Sequence, residues 1–400
     1  MKIEIGSDAR GPLAGYRVLD LSTVVSGPLC AQILGDLGAD VLKVEAPGGD
    51  PARRMGLPMT DGISPLFAQC NRNKRSVAID LKLEPGRAAA RKIASGVDVV
   101  LSNYRPGVAE RLGLGYDDLI AVNSELVYVA ISGFGPDGPY RDLPAYDSVI
   151  QGLSGFMAVQ GGDGEPQLVR SIVADKVTAL TAVYAVMGGL LARERSGRSG
   201  QRVDVPMLDA YAAFILPDTL AGALTFPEAS SPAFPNIHRT WKTADGYVVM
   251  MIVEDYQFAG ICRAIEREDL IDDPRCTDLI QRLIHADEIF AILEEELLEW
   301  TTQDFVRRAQ ANGAPVANAN SIDDFLADPQ VAHNGTIIET DIDPALGTTR
   351  YLRPAVRFDA TPATFHRLPP RLGEQTDEIL AEAGYDSAQI EKLRAAGAVC

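Results

Sequence analysis

Residues 169–200, VRSIVADKVTALTAVYAVMGGLLARERSGRSG, constrain the fold more than any other stretch. From 172 to 194 they read as one long helix, apolar on nearly every side, with a single acid, Asp175, near its start. A helix of that kind belongs inside a core. Ser171 is the predicted N-cap, and Gly197 and Gly200 punctuate the end. Arg193, Arg195 and Arg198 lie where the helix dipole favours positive charge. Asp175 falls in the first turn, where the dipole favours a carboxylate, and the turns after it are too apolar to face water. A carboxylate kept ionised but poorly solvated is a good nucleophile or base. The plainer reading is that Asp175 only satisfies the helix N-terminus. The apolar run 177–192 is short for a membrane span and reads as a buried helix.

The chain before this helix alternates strands and helices. Residues 16–21 (YRVLDL) form a strand of apolar character, TVVSGP a loop, and 29–37 a helix with Pro28 in its first turn. Residues 40–44 (DVLKV) form the next strand, ending in Glu45. This is a βαβ unit, which predicts a parallel sheet with ligands beyond the carboxyl ends of its strands. Further strands are predicted at 76–81, 98–102, 126–132 and 201–205, and helices at 85–94 and 207–216. Two loops break the pattern, a Gly/Pro-rich segment at 133–148 and a glycine loop at 161–164. Long loops of this kind often carry function.

Around residue 217 the texture changes, and four segments follow from the pattern. Residues 1–216 form the first part of a large domain, 217–235 a linker, 236–328 a small α+β domain, and 329–400 a return to the large domain. Within the last, strands are expected near 336–339 and 349–352, and a final helix at 376–383. The net charge is −18, from 37 basic and 55 acidic residues. Such a surface repels nucleic acid and anionic membrane, so an anionic ligand needs a local basic patch. The five cysteines are scattered, which fits a reducing cytoplasm rather than a disulfide framework. The N-terminus has no apolar signal region.

Three constellations are candidates for chemistry. In the loop after the first strand, Ser26-Gly27-Pro28 places backbone N–H groups at a helix N-terminus, a ready anion site. Glu45 stands where dinucleotide enzymes hold a ribose, but the G-x-G-x-x-G fingerprint is absent. Basic residues gather near strand ends: Arg53, Arg54, Arg72, Lys74, Arg75, Arg105 and Arg111. A cluster of them suits a phosphorylated ligand, while each alone reads as a solvated charge. Asp147 and Asp175 could divide nucleophile and acid/base roles, or Asp147 could simply cap a helix. The four histidines stand apart from one another, and no triad, metal motif or Walker loop is present.

Together these pieces resemble the class III CoA-transferase family, formyl-CoA transferase and carnitine CoA-transferase included, to which the α-methylacyl-CoA racemases are related. The resemblance is carried by RVLDLSTVVSGPLCAQILGDLGADVLKVEAPGGDPARR (17–54), NRNKRSVAIDL (71–81), DVVLSNYRPGVAERLGLGYDDL (98–119) and LVYVAISGFGPDGPYRDLPAYDSVIQGLSG (126–155). The Asp175 helix with GRSGQRVDV after it, and PPRLGEQTDEIL (369–380), complete it. It implies an α/β fold with a Rossmann-like large domain, a small domain and an interlocked homodimer. It also implies coenzyme A or acyl-CoA as substrate, a carboxylic acid as second substrate and no tightly bound cofactor or metal.

By the same resemblance Asp175 attacks the acyl thioester, giving an acyl anhydride and then an aspartyl-CoA thioester, with Asp147 beside it. Thr23, Val24 and Val25 would lie over the CoA, Asn103 and Tyr104 would contact it, and so would Arg111. Asn71, Asn73 and Lys74 would lie at the adenine and 3′-phosphate end. Val25 stands where formyl-CoA:oxalate transferases carry glutamine, which argues against oxalate and formate. Tyr146 stands where racemases carry histidine, which favours a transferase over a racemase with Asp175 as base. A non-catalytic acyl-CoA-binding protein is the alternative from a different class.

Overall fold

The computed structural model describes residues 10–56, 60–162, 164–197, 199–218, 238–341 and 345–400. Most of the expected linker, the start of the segment 236–328, Asp163 of the glycine loop and Arg198 lie outside the described residues. The chain divides into two units, one of residues 1–225 with 335–400 and one of residues 226–334.

The larger unit is built on six parallel strands: β1 (Arg17–Asp20), β2 (Asp40–Glu45), β3 (Lys74–Ala78), β4 (Val99–Ser102), β5 (Val127–Ser132) and β6 (Gln201–Pro206). Their order is β3-β2-β1-β4-β5-β6. Apolar residues fill successive strand positions, so both faces of the sheet are buried. Val18, Val41, Val99 and Val127 point to one core, and Leu19, Leu42, Val100 and Tyr128 to the other. The first face is covered by α1 (Ser26–Asp36) and by the long helix α4 (Val173–Arg195). The second is covered by α2 (Glu84–Ala94) and two C-terminal helices, Thr376–Glu382 and Ser387–Ala395. Between β1 and β4 the chain direction of winding reverses. A crevice opens there at the carboxyl ends of the strands, where doubly wound sheets bind ligands.

Several expectations need correction. β3 begins at Lys74 rather than Ser76, so Lys74 and Arg75 are buried strand residues and not loop cations. The helix 376–382 is not the last; a second follows, and Val399 then bridges back to Ile79. The strands Ile337–Thr340 and Thr349–Leu352 pair with each other as an antiparallel hairpin. Helix α4 is not buried all round. Ala174, Val177, Ala182, Val186 and Leu190 face the core, whereas Leu180, Tyr184, Met187 and Leu191 form an exposed stripe.

The smaller unit has a three-stranded antiparallel sheet, Thr240–Lys242, Tyr247–Met250 and Val316–Asn318. Trp241, Phe258, Ile261, Leu293, Leu297 and Phe305 form its core.

Beneath the crevice, four charges are sealed inside the larger unit. Asp20 ends β1, Lys43 lies in β2, Lys74 opens β3, and Asp50 follows β2; their side chains are wholly buried. Lys74 Nζ donates to Asp20, to the Pro28 carbonyl and to Asn71, each at 2.8 Å. Lys43 Nζ lies 2.8 Å from Asp50 and donates to the Ser22 carbonyl at 3.0 Å. Burial pushes the Asp20 carboxyl upward, but Lys74 and Lys43 outweigh it and hold Asp20 below its ordinary value. Every donor of Lys74 is spent, which is what makes its burial tolerable. Replacing Lys74→Met leaves Asp20 sealed with Lys43 as its remaining cation, at 4.0 Å. Urea unfolding is expected to register a loss of about 3–5 kcal/mol; an unchanged midpoint would contradict the assignment.

Candidate active site

The connection from β1 to α1 is fixed before any ligand arrives. Asp20 accepts the Ser22 N–H at 3.0 Å and the Ser22 hydroxyl. Asp50 accepts the Val24 N–H at 3.1 Å. Asn103, just after β4, accepts the Thr23 N–H at 2.9 Å and donates back to the Thr23 carbonyl at 2.7 Å. Val24 is held at φ 68°, a left-handed conformation that β-branched residues avoid. Backbone strain of this kind persists only where its surroundings impose it, and it clusters at functional sites. Gly27 is obligatory, because a Cβ there would lie 2.2 Å from Ser22. The close approach brings the first turn of α1 over the end of β1.

The helix α4 starts without a local cap. Its N-cap residue, Ile172, offers no side-chain hydrogen bond, and Ser171 instead receives a hydrogen bond from Lys176. The cap comes from α3 (Asp147–Leu153). Asp147 Oδ2 accepts the N–H of Ala174 at 2.7 Å and of Asp175 at 3.3 Å, while Oδ1 accepts from Gln151 at 2.5 Å. Asp147 therefore caps a helix, but not its own.

These elements meet at one cavity of about 270 Å³. Thr23, Val24, Ser26, Asn103, Tyr104 and Asp175 line it, together with Arg105, Arg141 and Tyr146. Asp175 is half-buried there. Burial, and then the charge of Asp147, raise its pKa to about 6; the hydroxyl and the backbone N–H of Ser26 act in the opposite direction. The anion received by the N-terminus of α1 is thus the chain's own carboxylate. At neutral pH it is mostly ionised, poorly solvated and held by few donors, the condition of a reactive oxygen nucleophile.

Other sequence candidates stand elsewhere. Val25 is 2% exposed and faces the core, not the cavity. Arg111 lies outside the cavity lining, beside Gly107. Asn71 and Lys74 bond to one another, and Asn73 donates to Asp36 and to the Thr364 carbonyl. The expected basic cluster dissolves in the same way. Arg53 pairs with Glu45, Arg72 with Asp36, and Arg75 with Asp40, Glu378 and Glu382. Glu45 is accordingly a buried counter-ion and not a ribose ligand. Arg105 alone of that set lines the cavity. Arg141, which the sequence analysis did not single out, joins it from the long loop, where it donates to the Pro136 carbonyl and pairs with Asp142. Of the glycine loop, the described residues Gly161, Gly162 and Gly164 do not line the cavity. Ser26 was visible in sequence as a backbone donor; its hydroxyl was not singled out.

Residues 13–376 match the family model described as CoA-transferase family III. The succinate–glutarate CoA-transferase of Agrobacterium fabrum is 35% identical over 384 residues, covering 93% of this chain and 95% of that protein. The human succinyl-CoA:glutarate CoA-transferase is 34% identical, covering 97% and 90%. A crystal structure of a CAIB/BAIF family protein from Brucella suis superposes with a TM-score of 0.81 at 32% identity, covering 94% of this chain and all of that one. The chain belongs to CoA-transferase family III.

Proposed function

We propose that this enzyme moves CoA from an acyl-CoA donor to a carboxylic acid, with Asp175 as the nucleophile. The observation that carries the proposal is a half-buried carboxylate with a raised pKa, facing the crevice where the sheet reverses its winding. Asp175 attacks the thioester carbonyl; the C–S bond breaks, CoA leaves as thiolate, and an aspartyl–acyl anhydride forms. The thiolate attacks the Asp175 carbonyl of the anhydride. The donor acid departs with the bridging oxygen, leaving an aspartyl-CoA thioester. The acceptor carboxylate attacks that thioester, releasing thiolate and forming a second anhydride. Thiolate takes the acceptor acyl group, and Asp175 is regenerated. A dry site protects both anhydrides from hydrolysis.

Asp147 positions the start of α4 and raises the basicity of Asp175 through its charge. Thr23, Val24, Asn103 and Tyr104 are the proposed contacts for the pantetheine end of CoA, and Arg111 for a phosphate. Relatives named for succinate and glutarate make dicarboxylates the first substrates to test. Arg105 and Arg141 in the cavity lining suit a second carboxylate. Tyr146, where racemases carry histidine, lines the cavity, and this supports transfer over α-proton exchange. The free cysteines fit a cytoplasmic enzyme.

The exposed stripe on α4 supports a homodimer. Leu180 is 55%, Tyr184 65% and Leu191 59% exposed, at helical spacing on one face. Contiguous apolar surface of this kind marks an interaction site.

Two outcomes are expected. After incubation with succinyl-CoA and a hydroxylamine quench, peptide mass spectrometry finds a hydroxamate at Asp175, and Asp175→Asn loses about 10³-fold or more in turnover. Turnover with Asp175 unmodified, or α-carbon deuterium exchange in heavy water without an adduct, would contradict the covalent route. By light scattering the protein has twice the chain mass, and the double variant Leu180→Glu, Leu191→Glu shifts it to the monomer. A monomeric wild type would remove the dimer.

A further inference from the structure

Two of the proposed steps take place at the Asp175 carboxyl carbon itself. When thiolate attacks the anhydride there, and when the acceptor attacks the aspartyl thioester, negative charge appears on an oxygen of Asp175. Whatever donors hold that oxygen in the resting carboxylate are already aimed at the oxyanion. The identity of those donors is therefore a question about catalysis as much as about the resting state.

Ser26 is 3% exposed and opens α1, an eleven-residue helix packed on α4. It lines the same cavity as Asp175. Asn103 Nδ2 lies 3.4 Å from the Ser26 oxygen and donates to it. Accepting from Asn103 leaves the hydroxyl proton available, and Asp175 accepts from both the hydroxyl and the backbone N–H of Ser26. The Ser26 N–H is one of the first in α1, so no carbonyl within the helix claims it. Asp147 already takes the N–H groups of Ala174 and Asp175, so α4 does not supply the donors from its own end. The buried ion network and the tight packing of Gly27 on Ser22 fix where Ser26 stands.

We propose that Ser26 is a catalytic residue of the transfer reaction, its hydroxyl and backbone N–H forming the oxyanion site for the tetrahedral intermediates at the Asp175 carbonyl. The inference rests on the covalent aspartyl route above. The hydroxyl donates without being transferred. Charge moves onto the oxygen as the new C–S or C–O bond forms, and returns to the carbonyl as the leaving thiolate or carboxylate departs. The backbone N–H survives any side-chain substitution, so the hydroxyl alone is tested by mutation.

The experiment compares wild type with Ser26→Ala and Ser26→Cys, using succinyl-CoA and glutarate. The cysteine fills the space of serine but donates weakly. Both variants are expected to fold, to keep KM for succinyl-CoA within about threefold, and to lose about 10²- to 10³-fold in kcat. The wild-type kcat/KM falls on the acid side of about pH 6, as Asp175 takes up its proton. Removing a donor to the ionised form raises that pKa, so the acid limb moves to higher pH in both variants. Ser26→Ala with kcat within threefold of wild type and an unmoved acid limb overturns the proposal. So does full activity in Ser26→Cys, which would assign the effect to packing; should the alanine variant fail to fold, the cysteine variant decides. A wild type that transfers no CoA at all would remove the underlying reaction instead, and the silent control distinguishes that failure.

Discussion

The ion network of Asp20, Lys43, Lys74 and Asp50 is the constraint on which the site depends. Four charges inside a sheet are costly unless each is paired and hydrogen-bonded. Here the remaining hydrogen-bonding capacity is directed at one loop. Lys43 takes the Ser22 carbonyl, Lys74 the Pro28 carbonyl, Asp20 the Ser22 N–H and Asp50 the Val24 N–H. The loop cannot relax without unpairing a buried charge. That is why Val24 can remain in a conformation a valine resists, and why the first turn of α1 is delivered against α4.

A second constraint acts on Asp175 from the other side. Its helix begins where an acid from another helix, Asp147, replaces a local cap. The same contact that holds the backbone of Asp175 places a like charge next to its carboxyl group. Structure and reactivity therefore share one interaction: the cap fixes the backbone of Asp175, the proposed nucleophile, and raises its pKa at once. Removal of water does the larger part, and Ser26 moderates it. The balance leaves a carboxylate that is ionised at neutral pH yet short of donors, as a nucleophile must be.

Much of this was legible in the sequence because the sheet is buried on both faces. Apolar runs at 16–21, 40–44, 98–102 and 126–132 could only be strands of a covered parallel sheet, and the loops at their carboxyl ends followed. Asp175 stood out as the acid at the head of an apolar helix. What failed was whatever depended on distant partners. Lys74 and Arg75 looked like loop cations because charge in a buried strand is rare; their partners, Asp20 and Glu382, lie far away in sequence. Ser171 looked like the cap because capping is usually local. The basic residues suited either a phosphate site or solvated surface; instead Glu45, Asp36, Asp40 and Asp20 claim Arg53, Arg72, Arg75 and Lys74. The exposed face of α4 is invisible to periodicity, since a helix face buried by a neighbouring strand and one left bare carry the same residues.

The claim at the centre is that oxygen passes through Asp175. The most direct measurement follows the isotope, with succinyl-CoA as donor and glutarate carrying oxygen-18 in its carboxylates. If Asp175 is acylated and released in each cycle, its peptide gains oxygen-18 and the succinate released in later cycles carries it too. Oxygen-18 confined to glutarate and glutaryl-CoA during turnover, with none in Asp175 or succinate, would contradict the account.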